Sequence, residues 1–114
     1  MPDLTLALRN TLGTRQDGQV LSFTTVRVVG PSMEPAVQNG QWWVVRKGAK
    51  LRKGDVVLLR HPERSELSVV KRLGHREGSG WWVLGDNPHE SDDSRQFGAV
   101  PDKLIIGRLI FRYR

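Results

Sequence analysis

Ser32 sits in Gly30-Pro31-Ser32-Met33-Glu34-Pro35, where one glycine and two prolines restrict the backbone around a single hydroxyl. A serine hydroxyl is a weak nucleophile until a neighbouring base takes its proton. The chain has no cysteine, so any nucleophile is an oxygen or an amine, and neither a disulfide framework nor a thiolate zinc site can be built. Three histidines are available as the base. His61 precedes a proline in a charged turn, His75 lies in the basic run KRLGHRE, and His89 stands among acids. None is embedded in apolar sequence, so each reads as a solvated surface residue. They also lack paired ligand spacing, and neither a metal site nor a cofactor is expected. Among the lysines, Lys47, Lys50, Lys53 and Lys103 occupy charged or turn segments, whereas Lys71 follows Val69 and Val70 and is followed closely by Leu73. Removal from water disfavours an ammonium and so favours the neutral amine that a base must be. Taken separately, the hexapeptide reads equally as an ordinary Pro-rich turn, and Lys71 as a surface lysine whose stem lies on apolar neighbours.

The elements that must position these groups read as strands. Short runs rich in Val, Leu, Ile and Trp recur from Val20 onward, at 20–29, 41–48, 55–61, 66–77, 80–85 and 103–114. Turn signals separate them, at 30–35, 39–40, 53–55, 61–64, 77–80 and 85–95. Such spacing predicts an all-β protein, a small curled sheet or barrel. Residues 1–19 read as an N-terminal arm, with room for a short helix in the first dozen residues before Asn10, Gly13 and Gly18 stop it. Two tryptophan pairs, Trp42-Trp43 and Trp81-Trp82, fall in strand segments, where neighbours face opposite ways. One ring of each pair is therefore expected in the core and the other near the surface.

Composition bounds the rest. At 114 residues the chain is one domain, 1–114, and its 38% hydrophobic content suffices for a small core. Twelve glycines and six prolines fit a turn-rich β-protein and disfavour long helices. The excess of 18 Lys and Arg over 12 Asp and Glu gives a net charge of +6, which permits an acidic partner without naming one. The longest charge-free run, Pro35–Val45, is far short of the roughly 20 apolar residues of a spanning helix. The N-terminus lacks a basic leader, so the protein is expected to be soluble and cytoplasmic.

Together these segments resemble the signal peptidase I family of Ser/Lys proteases, in the family's order from about Val28 to Gly107. Its nucleophile box Ser-Met-x-Pro is matched by Ser32-Met33-Glu34-Pro35, and Gly-Asp with following apolar residues by Gly54-Asp55-Val56-Val57-Leu58. The general-base box is matched by Val69-Val70-Lys71-Arg72-Leu73. The last box, Gly-Asp-Asn-x-x-x-Ser-x-Asp-Ser-Arg, is complete as Gly85, Asp86, Asn87, Ser91, Asp93, Ser94 and Arg95. The resemblance implies a serine endopeptidase in which Ser32 attacks a peptide carbonyl and Lys71 is the base. It implies that Ser91 holds the lysine ammonium, and that Asp93 and Arg95 form a supporting ion pair, with Ser94, Asp86 and Asn87 beside them. It implies that the backbone N–H of Ser32 holds the oxyanion. In part of the family a serine two residues before the nucleophile is the second donor, and here that position is Gly30. Substrate contacts are expected from Gly30, Pro31 and Met33, with an extended peptide added to a free strand edge beside Ser32.

Typical members carry a membrane anchor and a large inserted β subdomain. Only 31 residues precede Ser32 here, and Ser32 and Lys71 are 39 positions apart, so neither feature is expected. A compact chain with Gly-Pro-Ser-Met and Gly-Asp-Asn-Pro is similar to the maturation proteases of nickel-type superoxide dismutase, which implies a protein partner, a precursor whose N-terminal propeptide is removed. A generic soluble processing protease of the same family is the alternative. A self-cleaving regulator of the LexA type fits less well, since residues 1–31 contain no Ala-Gly or Cys-Gly bond. Nucleic-acid binding through the Trp pairs and basic excess is disfavoured, because the two rings of a pair cannot share one surface.

Overall fold

Alternation of apolar and polar residues writes strands along most of the chain, and the computed structural model forms them. It describes residues 4–14 and 20–114, with residues 4–14, Val20 and Leu21 given by backbone alone. Eight strands lie among the described residues: β1 (Leu4–Thr14), β2 (Val20–Val29), β3 (Trp42–Lys47), β4 (Val56–Arg60), β5 (Ser68–Glu77), β6 (Gly80–Leu84), β7 (Val100–Pro101) and β8 (Ile105–Arg112). A single-turn helix, α1 (Ser94–Phe97), and two 3-10 turns complete them. The all-β expectation holds. All strand pairs are antiparallel, in the order β1-β2-β3-β8-β4-β5-β6-β7. A further pairing of β1 with β5, Thr5 opposite Ser68, joins the first strand to the sixth and curls the sheet into a ring from which β6 and β7 extend. No helix among the described residues is long and apolar enough to cross a membrane.

The start of the chain is a correction. Leu4–Thr14 is a strand paired along its length with β2, where the sequence left room for a short helix. Leu4, Leu6 and Leu8 alternate with Thr5, Ala7 and Arg9 at period two, and the β-branched Thr5, Thr11 and Thr14 favour extended backbone. Residues 1–3 and 15–19 of the expected arm lie outside the described residues.

The core is two clusters on opposite sides of the central strands. Val26, Val28, Met33, Val45, Leu58 and Val70 form one, and Val57, Leu59, Val69, Leu73, Trp81 and Val83 anchor the other. Strand β5 feeds both, because Val70 points one way and Val69 and Leu73 the other. The tryptophan pairs divide as the strand period requires. Trp81 is buried with the Arg76 guanidinium 4.7 Å above its ring, while Trp82 stacks on His75. Trp43 packs on the first cluster and Trp42 meets Tyr113.

Candidate active site

Strand β2 runs directly into the turn that carries Ser32. Gly30 has φ of 101°, a conformation that side-chain-bearing residues rarely adopt, and its N–H donates to Asn39 Oδ1 at 2.9 Å. A serine at position 30 would be strained in that conformation, and the Gly30 N–H is itself committed to Asn39. The Glu34 N–H then closes a turn onto Pro31 O at 3.1 Å, with Ser32 and Met33 at its centre. The Val37 N–H closes a second turn onto Met33 O at 3.0 Å.

Lys71 reaches this turn from β5. Period two puts it on the same face as Val69 and Leu73, opposite Val57 of β4, so its stem is walled by aliphatic side chains. Its side chain is 0% exposed, and Nζ lies 3.1 Å from Ser32 Oγ, itself on a residue only 1% exposed. That separation is within the range in which a nucleophile passes its proton to a base. The neighbouring Arg72 points away, gripping Asp86 through Nε and Nη2 at 2.9 and 2.7 Å and Gly54 O at 2.8 Å. One strand thus aims Lys71 at the serine and, one residue on, ties down the loop after β6.

That loop, Gly85-Asp86-Asn87, holds the nucleophile turn by its backbone. The Asn87 N–H donates to Ser32 O at 2.8 Å, Asn87 Nδ2 donates to Pro31 O at 3.1 Å, and the Asp86 N–H points at Met33 Sδ at 3.4 Å. Gly85 has no room for a side chain, since a Cβ there would overlap Ser91 Oγ and come 2.9 Å from Ser32 O. Gly85→Ala is therefore expected to push Ser91 and the nucleophile turn apart. We expect a loss of about 1–3 kcal/mol in denaturant unfolding.

Beneath the loop, Asp93 is a fully buried carboxylate. It accepts from Arg95 Nε at 2.9 Å, the Gly85 N–H at 2.8 Å, the Arg95 N–H at 3.1 Å and Ser91 Oγ at 3.1 Å. Burial pushes its carboxyl up, but the Arg95 guanidinium, the two backbone N–H donors and the charge of Arg95 outweigh burial and hold it below the ordinary carboxylate range. Asp93 also caps α1, in a reciprocal box with Gln96 whose Oε1 accepts the Asp93 N–H at 2.9 Å. Ser94 is buried, and its Oγ accepts from the Val83 N–H at 2.8 Å, which docks α1 against β6.

Ser32, Lys71, Asp86, Asn87, Ser91, Asp93, Ser94 and Arg95 thus fall in one region, joined by the bonds above. The hydroxyl of Ser91 is directed to Asp93. Several expectations need correction. Met33 is 1% exposed in the first core cluster, where its long apolar side chain anchors the turn inward. Gly30 is buried as well, and of the three expected substrate contacts only Pro31 is partly exposed. Strand β2, which leads into Ser32, has both edges taken, by β1 on one side and β3 on the other. His61 is not solvated: it is 4% exposed against Phe97, with Nδ1 accepting from the Glu63 and Arg64 N–H groups and Nε2 bonded to Asp92 at 3.0 Å. The proline turn that follows folds back onto the ring, and such a turn carries no apolar signal in sequence. His75 is exposed, as expected, with Glu77 2.9 Å from its Nε2. Sequence reasoning gave no role to Gly85, Arg72 or Gln96. The Asp-x-x-Gln spacing of 93 and 96 is a readable capping box, and a glycine before Asp-Asn is a readable sign of close approach, whereas nothing in sequence pairs Arg72 with Asp86.

Comparison with known proteins gives the family. The profile of the peptidase S24-like family matches residues 14–110. Mitochondrial inner membrane protease subunit 1 of Xenopus tropicalis is 30% identical over 107 residues, covering 73% of this chain and 64% of its own length. Mitochondrial ATP-independent inner membrane protease subunit 1a of Arabidopsis thaliana is 32% identical over 117 residues, covering 79% of this chain and 70% of its own. A segment of 32 residues, 28% of this chain, is 56% identical to 9% of the probable thylakoidal processing peptidase 2 of Arabidopsis thaliana. The chain spans about 64% of the length of the animal inner membrane protease subunits it matches.

Proposed function

The chain belongs to the peptidase S24-like family, and from that premise we propose that it is a serine endopeptidase in which Ser32 is the nucleophile and Lys71 the general base. The observation that carries this reading is the buried approach of Lys71 Nζ to Ser32 Oγ, 3.1 Å. In the first half-reaction Ser32 Oγ attacks the scissile carbonyl while the neutral Lys71 amine accepts its proton. The same proton passes to the leaving amine, so the peptide bond breaks as the ester to Ser32 forms. Water, deprotonated by the amine, then hydrolyses the ester. Negative charge on the tetrahedral oxygen is met by the Ser32 N–H. Because Lys71 is the base in this reading, cleavage is expected to persist when the exposed His75 and His89 are replaced by Gln.

The substrate we propose is a precursor protein with an N-terminal segment to be removed, and most specifically the precursor of nickel-type superoxide dismutase. The Gly-Pro-Ser-Met and Gly-Asp-Asn-Pro sequences and the short interval from Ser32 to Lys71 support that finer reading. The names of the relatives, inner membrane proteases and a processing peptidase, support the broader one of a signal-peptidase-like processing enzyme. Intact-mass spectrometry separates them. Incubated with the protein, a propeptide-bearing dismutase precursor is expected to lose its propeptide in a single cut, with no cut by Ser32→Ala. A precursor left whole while an Ala-x-Ala signal peptide is cut would move the assignment to the broader reading.

A further inference from the structure

We propose that Asn87 is the positioning residue of the oxyanion site: by gripping the peptide units on both sides of Ser32 it aims the Ser32 N–H at the substrate carbonyl. The inference deepens the serine-peptidase reading and rests on it. Two bonds carry it, from the Asn87 N–H to Ser32 O at 2.8 Å and from Asn87 Nδ2 to Pro31 O at 3.1 Å. Pro31 O and the Ser32 N–H belong to one planar peptide unit, and the sole cis bond among the described residues is Glu34–Pro35. In a trans unit the C=O and N–H point opposite ways, so fixing the direction of Pro31 O fixes that of the Ser32 N–H. Holding Ser32 O fixes the next unit. With both planes held, the backbone dihedrals of Ser32 are set, and with them the direction of its Cα–Cβ bond.

The second donor on Pro31 O also acts electronically. Pro31 O already accepts the Glu34 N–H, which closes the turn, so the Asn87 amide is not needed to satisfy that carbonyl. A further donor draws electron density toward the oxygen and leaves the Ser32 N–H a stronger hydrogen-bond donor, the cooperative effect of linked amides. The loop that supplies Asn87 is itself fixed from outside, since Arg72 holds Asp86 and Asp93 holds the Gly85 N–H. Asn87 thus acts through the backbone of the nucleophile and need not touch the substrate.

The test uses Asn87→Asp, which keeps the size and the backbone N–H but turns the Nδ2 donor into an acceptor facing Pro31 O, and Asn87→Ala as a second variant. The probes are the dismutase junction peptide and the Ala-x-Ala signal peptide, with whichever the wild type cuts carried forward. For that peptide we expect kcat to fall about 10–100-fold at unchanged KM, short of the full loss of a donor. A peptide aldehyde of the same acyl side forms a tetrahedral adduct with Ser32 and is expected to bind more weakly by the same factor. The cleaved product peptide, which develops no oxyanion, is expected to bind as before. Unchanged kcat, or product and aldehyde affinities falling together with melting temperature, would overturn the role of Asn87 while leaving the peptidase standing. If the wild type cuts neither peptide and forms no aldehyde adduct, the peptidase reading falls and this inference with it.

Discussion

Replacing Ser32 with Ala or Lys71 with Met is expected to lower peptide cleavage by about a thousandfold or more, with the fold intact. Each change removes one partner of the proton transfer, and groups that act as a unit lose nearly everything when either is lost. Combining both is expected to cost little beyond either alone, which separates a working pair from two independent contributions. Methionine is the informative replacement, because it keeps the length and apolar stem of a side chain that is fully buried and leaves little cavity. Lys71→Arg is expected to fail as completely, since a guanidinium does not give up its proton at neutral pH. Initial rates by mass spectrometry, with circular dichroism as the control for folding, decide the matter. Retained cleavage in Lys71→Met would assign the base elsewhere.

The second large effect falls on stability. Asp93 has no exposed surface and accepts from two backbone N–H groups, a serine hydroxyl and a guanidinium, so Asp93→Ala leaves the Gly85 N–H and the Ser91 hydroxyl without that acceptor and uncaps α1. We expect a loss of about 3 kcal/mol, lowered from the fully buried case because Arg95 is half in solvent, and a fall in melting temperature of about 10 °C. The pH dependence has a definite sign. A carboxyl held below its ordinary range in the fold binds fewer protons folded than unfolded. Its contribution is therefore whole above the ordinary carboxylate range and is lost as pH falls through the depressed value. Urea midpoints of wild type and Asp93→Asn are expected to differ by a constant amount at neutral pH and to converge in acid. A difference that grows as pH falls would contradict the assignment.

The resemblance read in sequence depended on residues whose chemistry is local. Ser32 could be singled out because prolines and a glycine fix the chain around it, and Lys71 because a lysine is out of place in Val-Val-Lys-Arg-Leu. The strands from Val20 onward were legible for the same reason, as runs of period two cut by turn residues. The His61 expectation failed where burial is decided at a distance, and Met33 is buried for the same reason. His61 stands in a charged turn, yet the turn folds against Phe97 and Asp92, which are remote in sequence. Met33 adjoins the nucleophile, yet its side chain completes the cluster around Val26, Val37 and Leu58.

Residue types and spacings by themselves therefore determined the all-β class, the turn that presents Ser32, the exclusion of a thiol nucleophile and the match to the family's boxes, all of them properties of segments a dozen residues long or less. The tertiary structure alone decided that Lys71 Nζ stands 3.1 Å from Ser32 Oγ across 39 positions, that Asn87 holds the carbonyls on both sides of Ser32, and that β1 joins β2 to β5 where a short helix had been open. The physical reason is common to all three. A contact between remote segments depends on strand register, and register is set by which apolar faces meet in the two core clusters, a property of the whole sheet that no single strand carries.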